Sequence, residues 1–393
     1  MDIERLRQDT PAVENLIHFD NAGSALPPSC VVDAMKTHLD LEAEIGGYRA
    51  IEQQDEAFEN TYRALARMLN CDASEIALIE NATRAWDMVF YGYAATLQEG
   101  DKILTAEAEY ASNYLAFLQV ARQRGLVIEH VPSGADGSLD VSALESRIDE
   151  RTKLIAVTHV PTNGGLINPA AEIGRVARAA GIPYILDACQ SVGQMPLDVE
   201  QIGCDFLSAT GRKYLRGPRG TGFLYARKEW IERIEPAFID MFAAVWTGPE
   251  SYDIRADARR FENFEKAFAG NIALGVAVDY ALAVGLDEIE TRVQVLAARL
   301  RDGLAAVDGV RVTDIGARKS GLCTFTVDGR AAADVRRQLW NRRINSTVSV
   351  RSSTYLDMTA RDLEEIVRTS VHYYNTEDEV DRTVAAVAEI AGD

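Results

Sequence analysis

Basic residues are scarce: 41 lysines and arginines stand against 60 aspartates and glutamates, a formal net charge of -19 in 393 residues. Such a surface repels nucleic-acid phosphates and excludes a nucleic-acid-tracking role, although local basic clusters can still hold a small anion. Cysteine is also sparse. The five, Cys30, Cys71, Cys189, Cys204 and Cys323, are widely spaced, form no C-x-x-C pair and leave one unmatched in any disulfide scheme, which fits a reducing compartment. No apolar run approaches the ~20 residues that span a bilayer, and Met1-Asp-Ile-Glu-Arg-Leu-Arg7 lacks the basic segment and apolar core of a secretion signal. The expectation is a cytoplasmic protein with no membrane partner and no metal. Internal repeats, low-complexity tracts and Pro- or Gly-rich linkers are absent as well.

What is present is ample core material, 47% hydrophobic residues, in a chain long enough for about two domains. Between residues 55 and 225 helix-like and strand-like segments alternate. Asp55 to Leu69 places apolar residues at three- and four-residue intervals, whereas Ile76 to Ile79, Lys102 to Thr105, Lys153 to Thr158 and Pro183 to Asp187 read as buried strands. That alternation predicts an α/β fold with a mainly parallel sheet, whose ligands sit outside the carboxyl ends of the strands. After residue 265 the pattern changes to one long helix, Asn271 to Val307, then short strands at 310–313 and 322–327 and helices at 332–340 and 376–390. The division expected is an N-terminal segment (1–20), a large domain (21–265) and a smaller α+β domain (266–393) that includes the bridging helix.

Chemistry is concentrated in a few motifs. Asp187 ends an apolar run, and Lys213 lies in the glycine-rich stretch Ser208 to Gly222. A lysine amine can form a Schiff base with the aldehyde of pyridoxal phosphate (PLP), and a buried carboxylate can keep its pyridine nitrogen protonated. Asn81-Ala-Thr-Arg-Ala85 follows a strand and opens a helix, a junction where backbone N–H groups and the Thr83 hydroxyl can hold a phosphate. Tyr110, just after a strand, offers a face for a planar ring. His159 begins a run rich in turn formers, with an acid-base role or a plain capping role both open.

Taken in order, Asp-Asn-Ala-Gly near the N-terminus, Asn-Ala-Thr, Tyr110, Asp187-Ala-Cys-Gln190 and Lys213 with its glycine-rich hairpin resemble the class V aminotransferase group of fold-type I PLP enzymes. The resemblance runs from about Leu16 to Val384. It implies a two-domain PLP-dependent homodimer with active sites near the interface, acting on a small amino acid through its α-carboxylate. By the same resemblance Lys213 holds PLP and shuttles protons, Asp187 pairs with the pyridine nitrogen and Gln190 bonds the ring's phenolic oxygen. Ala82, Thr83, Thr210 and Arg212 bind the phosphate, Tyr110 stacks on the ring and Thr162 stands where desulfurases have a ring-contacting asparagine. Arg368 and Arg351 face the substrate carboxylate, and Asn21 and Tyr48 are further substrate contacts. Glu42 to Tyr48 reads either as an active-site loop that crosses the dimer or as an ordinary helix end at Gly46-Gly47.

Departures from the family pattern bear on the reaction. Desulfurases carry a nucleophilic cysteine on a loop after the arginine matching Arg351, yet Val350 to Met358 has none, nor does any position beyond Cys323. The family's phosphate-binding threonine from the second subunit falls near Glu265-Lys266-Ala267. The segments 159–169, 210–222 and 281–287 most resemble ergothioneine-type lyases, which cleave a cysteine S-conjugate sulfoxide. The expectation is therefore a C-S β-lyase releasing pyruvate and ammonia, with an epimerase of the isopenicillin N type, or an aminotransferase, as alternatives.

Overall fold

The computed structural model describes residues 1–392. The central sheet contains β1 (Ile76–Ile79), β2 (Lys102–Ala106), β3 (Val127–Val131), β4 (Thr152–Thr158), β5 (Tyr184–Asp187), β6 (Phe206–Thr210) and β7 (Gly222–Ala226), in the order β1-β7-β6-β5-β4-β2-β3. Strands β2 to β6 pair in parallel, whereas β7 runs against both of its neighbours. The sheet is mainly parallel, as the alternating pattern predicts.

Crossover helices cover both faces of a parallel sheet, so its strands are apolar on both sides. Alternate side chains accordingly divide between two clusters. Ile155, Val157, Leu186 and Leu207 lie in one, and Leu154, Ala156, Ile185 and Phe206 lie in the other. This is why β4, β5 and β6 read as unbroken apolar runs.

A second, antiparallel sheet contains β8 (Val310–Val312), β9 (Leu322–Val327), β10 (Thr347–Val350) and β11 (Glu365–Ser370), ordered β8-β9-β11-β10. The beginning of the chain docks beside it. Ile17–His18 pairs in parallel with Ile344–Asn345, and Asp20 bridges to Ser370.

One expected element differs from its sequence reading. The long helix from Asn271 to Val307 is two helices, Phe268–Val284 and Leu286–Ala305, which meet at 78°. Gly285, between them, has φ +94°, a conformation that side-chain-bearing residues rarely adopt. Helical periodicity continues on both flanks, so periodicity alone does not reveal the break. In the segment Glu42 to Tyr48 a helix does end at Gly46, one of the two readings of it, and a second helix follows: Ser29–Ile45 and Gly47–Gln53 abut there. Among the described residues no single helix is long and apolar enough to cross a membrane.

Candidate active site

A cavity opens at the carboxyl ends of β4, β5 and β6. Nine residues singled out from the sequence line it: Ala82, Thr83, Tyr110, Thr162, Asp187, Gln190, Thr210, Arg212 and Lys213. Asn113, Thr158 and Cys189 share the wall and were not picked out beforehand. Asn113 leaves only a spacing in the sequence, four residues after Glu109, and nothing local shows that this acid is buried.

Local structure explains how each group reaches the cavity. Lys213 sits in a tight turn between β6 and β7, closed by bonds from Gly211 N to Thr221 O, Gly217 N to Gly211 O and Arg216 N to Lys213 O. Arg216 locks that turn from below. Its buried guanidinium donates to Leu26 O at 2.8 Å, Tyr373 Oη at 2.6 Å and Thr10 Oγ1 at 2.6 Å, and lies 4.5 Å from the centre of the Tyr374 ring. The amine is therefore carried on a rigid platform. At helix Ala82–Ala94 the Asn81 side chain caps Arg84 N and the Asn81 carbonyl accepts from Ala85 N. The N–H groups of Ala82 and Thr83 have no intrahelical partner, so this helix end can receive an anion. Arg212, whose guanidinium also donates to Gly23 O, adds positive charge on the opposite wall.

Asp187 ends β5 and is buried. Its Oδ1 accepts from Cys189 N at 2.9 Å and its Oδ2 from Asn113 Nδ2 at 3.0 Å. Burial pushes its pKa up, against those two donors and the charge of Lys213, so a cation placed against it would be stabilised. Cys189 is different. Burial, the largest influence, raises its thiol above the ordinary range despite Lys213 nearby, which leaves it protonated and a poor nucleophile. Cys323, unlike the half-buried Cys189, is fully buried, in β9, with its pKa raised well above the usual value.

Arg368 approaches from β11. Its Nη1 donates to Thr162 Oγ1 at 2.5 Å, its Nη2 is 3.5 Å from Asp20 Oδ1, and its buried Nε has no partner. Asp20 was visible in the sequence only as part of the Asp-Asn-Ala-Gly motif. Asn21, Arg351 and Tyr48, the other expected substrate contacts, do not line this cavity within the single chain. Asn21 is wholly buried, with its amide bonded to Ser370 O, His18 O and Tyr374 Oη, so it braces the wall from behind. Arg351 donates through Nε to Leu363 O and pairs with Glu364 at 2.8 Å, which occupies its charge outside the cavity. Tyr48 is 77% exposed on its helix. His159 is buried behind β4, where loss of solvent, with Arg318 adding to the effect, lowers its pKa to about 4. It is neutral at physiological pH.

The residues fit PLP. Gln190 Oε1 is buried without a partner, the buried Asp187 carboxylate would be stabilised by a cation, and the helix end at Ala82 and Arg212 line the same cavity as the lysine and could hold a phosphate there.

Comparison with known proteins gives a consistent picture. The family model described as aminotransferase class-V matches residues 17–383. The chain is 33% identical to a probable cysteine desulfurase of Xylella fastidiosa over 99% of this chain and 95% of that one. It is 30% identical to another from Pyrococcus abyssi, over 98% and 97%. Its structure superimposes on a cysteine desulfurase from Thermococcus onnurineus with a TM-score of 0.91 and 28% identity, covering 99% of this chain and 98% of that one.

Proposed function

The chain belongs to the class V aminotransferase family of PLP-dependent, fold-type I enzymes, and from that premise we propose that it is a C-S β-lyase acting on a cysteine S-conjugate or its sulfoxide. The observation that carries this reading is the inventory of the cavity. An amine and a buried carboxylate converge there with a guanidinium one hydrogen bond behind Thr162, whereas the thiol in the wall, Cys189, is held protonated. A desulfurase that passes sulfur to a protein persulfide needs a thiolate nucleophile. A lyase with a good leaving group does not.

PLP, when bound, supplies an electron sink that stabilises negative charge at the substrate Cα. Ala82, Thr83, Thr210 and Arg212 would hold its phosphate, Tyr110 would lie against its ring, Gln190 would meet its phenolic oxygen and Asp187 its pyridine nitrogen. The substrate carboxylate docks on Arg368, using the free Nε, and this fixes the orientation of the bonds at Cα. Lys213 would hold the cofactor through its amine, and the same amine is the group placed to take the substrate Cα proton. The electron pair left at Cα forms the Cα–Cβ double bond as the sulfur departs from Cβ. The aminoacrylate so released hydrolyses to pyruvate and ammonia.

The working unit in this proposal is a homodimer. An apolar surface formed by Phe238, Met241, Val245, Trp246, Tyr252 and Phe264 is exposed around the hairpin Ala244–Ile254. It adjoins the phosphate cradle, since the Arg84 guanidinium lies 5.4 Å from the centre of the Phe238 ring. A second copy covering this face would close over the cavity.

The test is product analysis of the PLP-loaded protein with S-alkylcysteines, their sulfoxides and cysteine. Pyruvate from the conjugates is the expected result. Alanine with a protein-bound persulfide would assign a desulfurase instead, and inversion at Cα without pyruvate would assign an epimerase. Lys213→Ala should lose the visible absorbance of lysine-bound PLP and slow pyruvate release by roughly 10³-fold or more, the scale of a lost general base.

A further inference from the structure

Glu109 lies outside the cavity wall, and its surroundings give it a defined task. It is 3% exposed, in the turn that follows β2. Five neutral donors converge on its carboxylate: Tyr110 N at 2.8 Å, Asn113 Nδ2 at 2.9 Å, Thr158 N at 2.9 Å, Thr105 Oγ1 at 3.2 Å and Thr158 Oγ1. These come from β2, from the start of helix Ala111–Arg124 and from the end of β4. The same Asn113 nitrogen donates to Asp187 Oδ2 at 3.0 Å. One amide thus bridges two buried carboxylates, with one hydrogen for each.

We propose that Glu109 is a positioning residue for the cofactor: through Asn113 it fixes the Asp187 carboxylate, and through Tyr110 and Thr158 it sets the two chain segments that flank the ring. The inference rests on the PLP reading above. As an all-acceptor group, Glu109 forces the nitrogen side of Asn113 toward Asp187. A glutamine there would present N–H to donors, and Asn113 could turn its oxygen toward the Asp187 carboxylate, loosening it. When ionised, Glu109 also places a second negative charge behind Asp187, which favours a protonated ring nitrogen. The titratable groups that face Glu109 are Asp187 and Tyr184, both on β5. Burial, opposed by Thr158, Asn113 and Tyr110 and reinforced by Asp187, pushes its own pKa up to about 7, so a cation nearby favours its ionised form.

The experiment titrates cofactor-free wild-type, Glu109→Gln and Asn113→Ala proteins with PLP and follows the visible absorbance of the loaded proteins against pH. Cofactor-free melting temperatures are measured alongside. Both variants should bind PLP at least about tenfold more weakly, the cost of roughly one charge-assisted hydrogen bond. In Glu109→Gln the pH midpoint of the absorbance should fall by about half a unit or more, because a negative charge has been removed. Asn113→Ala should lose proportionally more PLP affinity than cofactor-free stability, since the amide also satisfies two buried carboxylates. Wild-type affinity and midpoint in both variants would overturn the proposal, as would affinity losses matched by equal losses of cofactor-free stability. A wild-type protein that takes up no PLP would instead refute the cofactor assignment, and this inference with it.

Discussion

A buried guanidinium N–H without a partner is costly, and Arg368 keeps one at Nε beside the cavity. A bound carboxylate would satisfy it. Arg368→Ala should therefore raise KM for an amino-acid substrate by about 10- to 100-fold, the worth of a hydrogen bond to a charged group, and by more than it lowers kcat; steady-state kinetics on the S-conjugate would measure the split. His159 makes a prediction of the opposite kind. Its folded-state pKa of about 4 lies below the ordinary 6.5, so below pH 6.5 the unfolded chain binds the extra proton and folding is disfavoured. The stability is fully present above 6.5 and falls as the pH drops toward 4, by roughly 3 kcal/mol for a shift of this size. In His159→Gln that acid slope should shrink, as judged by denaturation midpoints at pH 7 and pH 5. At this scale the sequence indicates chemical type well. Lys213, Asp187 and Tyr110 stand out because each follows a strand at its ligand-facing end. Asn21 and Arg351 carry the same kind of signal, but whether an amide or guanidinium is already occupied by Ser370 O or Glu364 depends on partners that are distant or folded back, and no local pattern reveals this.

Among elements, the strands were the most legible, because full burial on both sheet faces leaves an apolar run of strand length. Their order was not, since β1 pairs with β7 across some 140 intervening residues and nothing local encodes that choice. Helix periodicity has a matching blind spot at Gly285, where two helical patterns abut without a polar gap. Gly285→Ala would force a side chain into φ +94° and should destabilise the protein by roughly 1–3 kcal/mol, the usual cost of such a backbone conformation; urea denaturation would read it. Because the first of these helices packs on Asp55–Leu69 and Ser29–Ile45 while the second packs on Glu377–Gly392, the bend fixes the relative placement of the two sheets. Some loss of substrate affinity should accompany the loss of stability.

For the molecule as a whole, the net charge of -19 makes self-association an electrostatic problem that only apolar contact can overcome. If the face around Trp246 is the dimer surface, Trp246→Asp should sediment as a monomer where the wild type sediments at twice the chain mass, and added salt should tighten the wild-type dimer by screening repulsion. An unchanged dimer in the variant would place the interface elsewhere. The joining of the chain's beginning to its end has a different outcome, concerning time. Ile17–His18 and Asp20 find their partners at Ile344–Asn345 and Ser370, so about 350 residues must leave the ribosome before the first-made segment can settle. At 5–20 residues per second that wait is on the order of 20 to 70 s. The seven-stranded sheet and its lysine can assemble during the interval, but Arg368 belongs to the late-arriving β11. The nascent chain can thus form the sheet that carries Asp187 and Lys213 well before Arg368 arrives and before Tyr373 is there to lock Arg216 beneath the lysine turn.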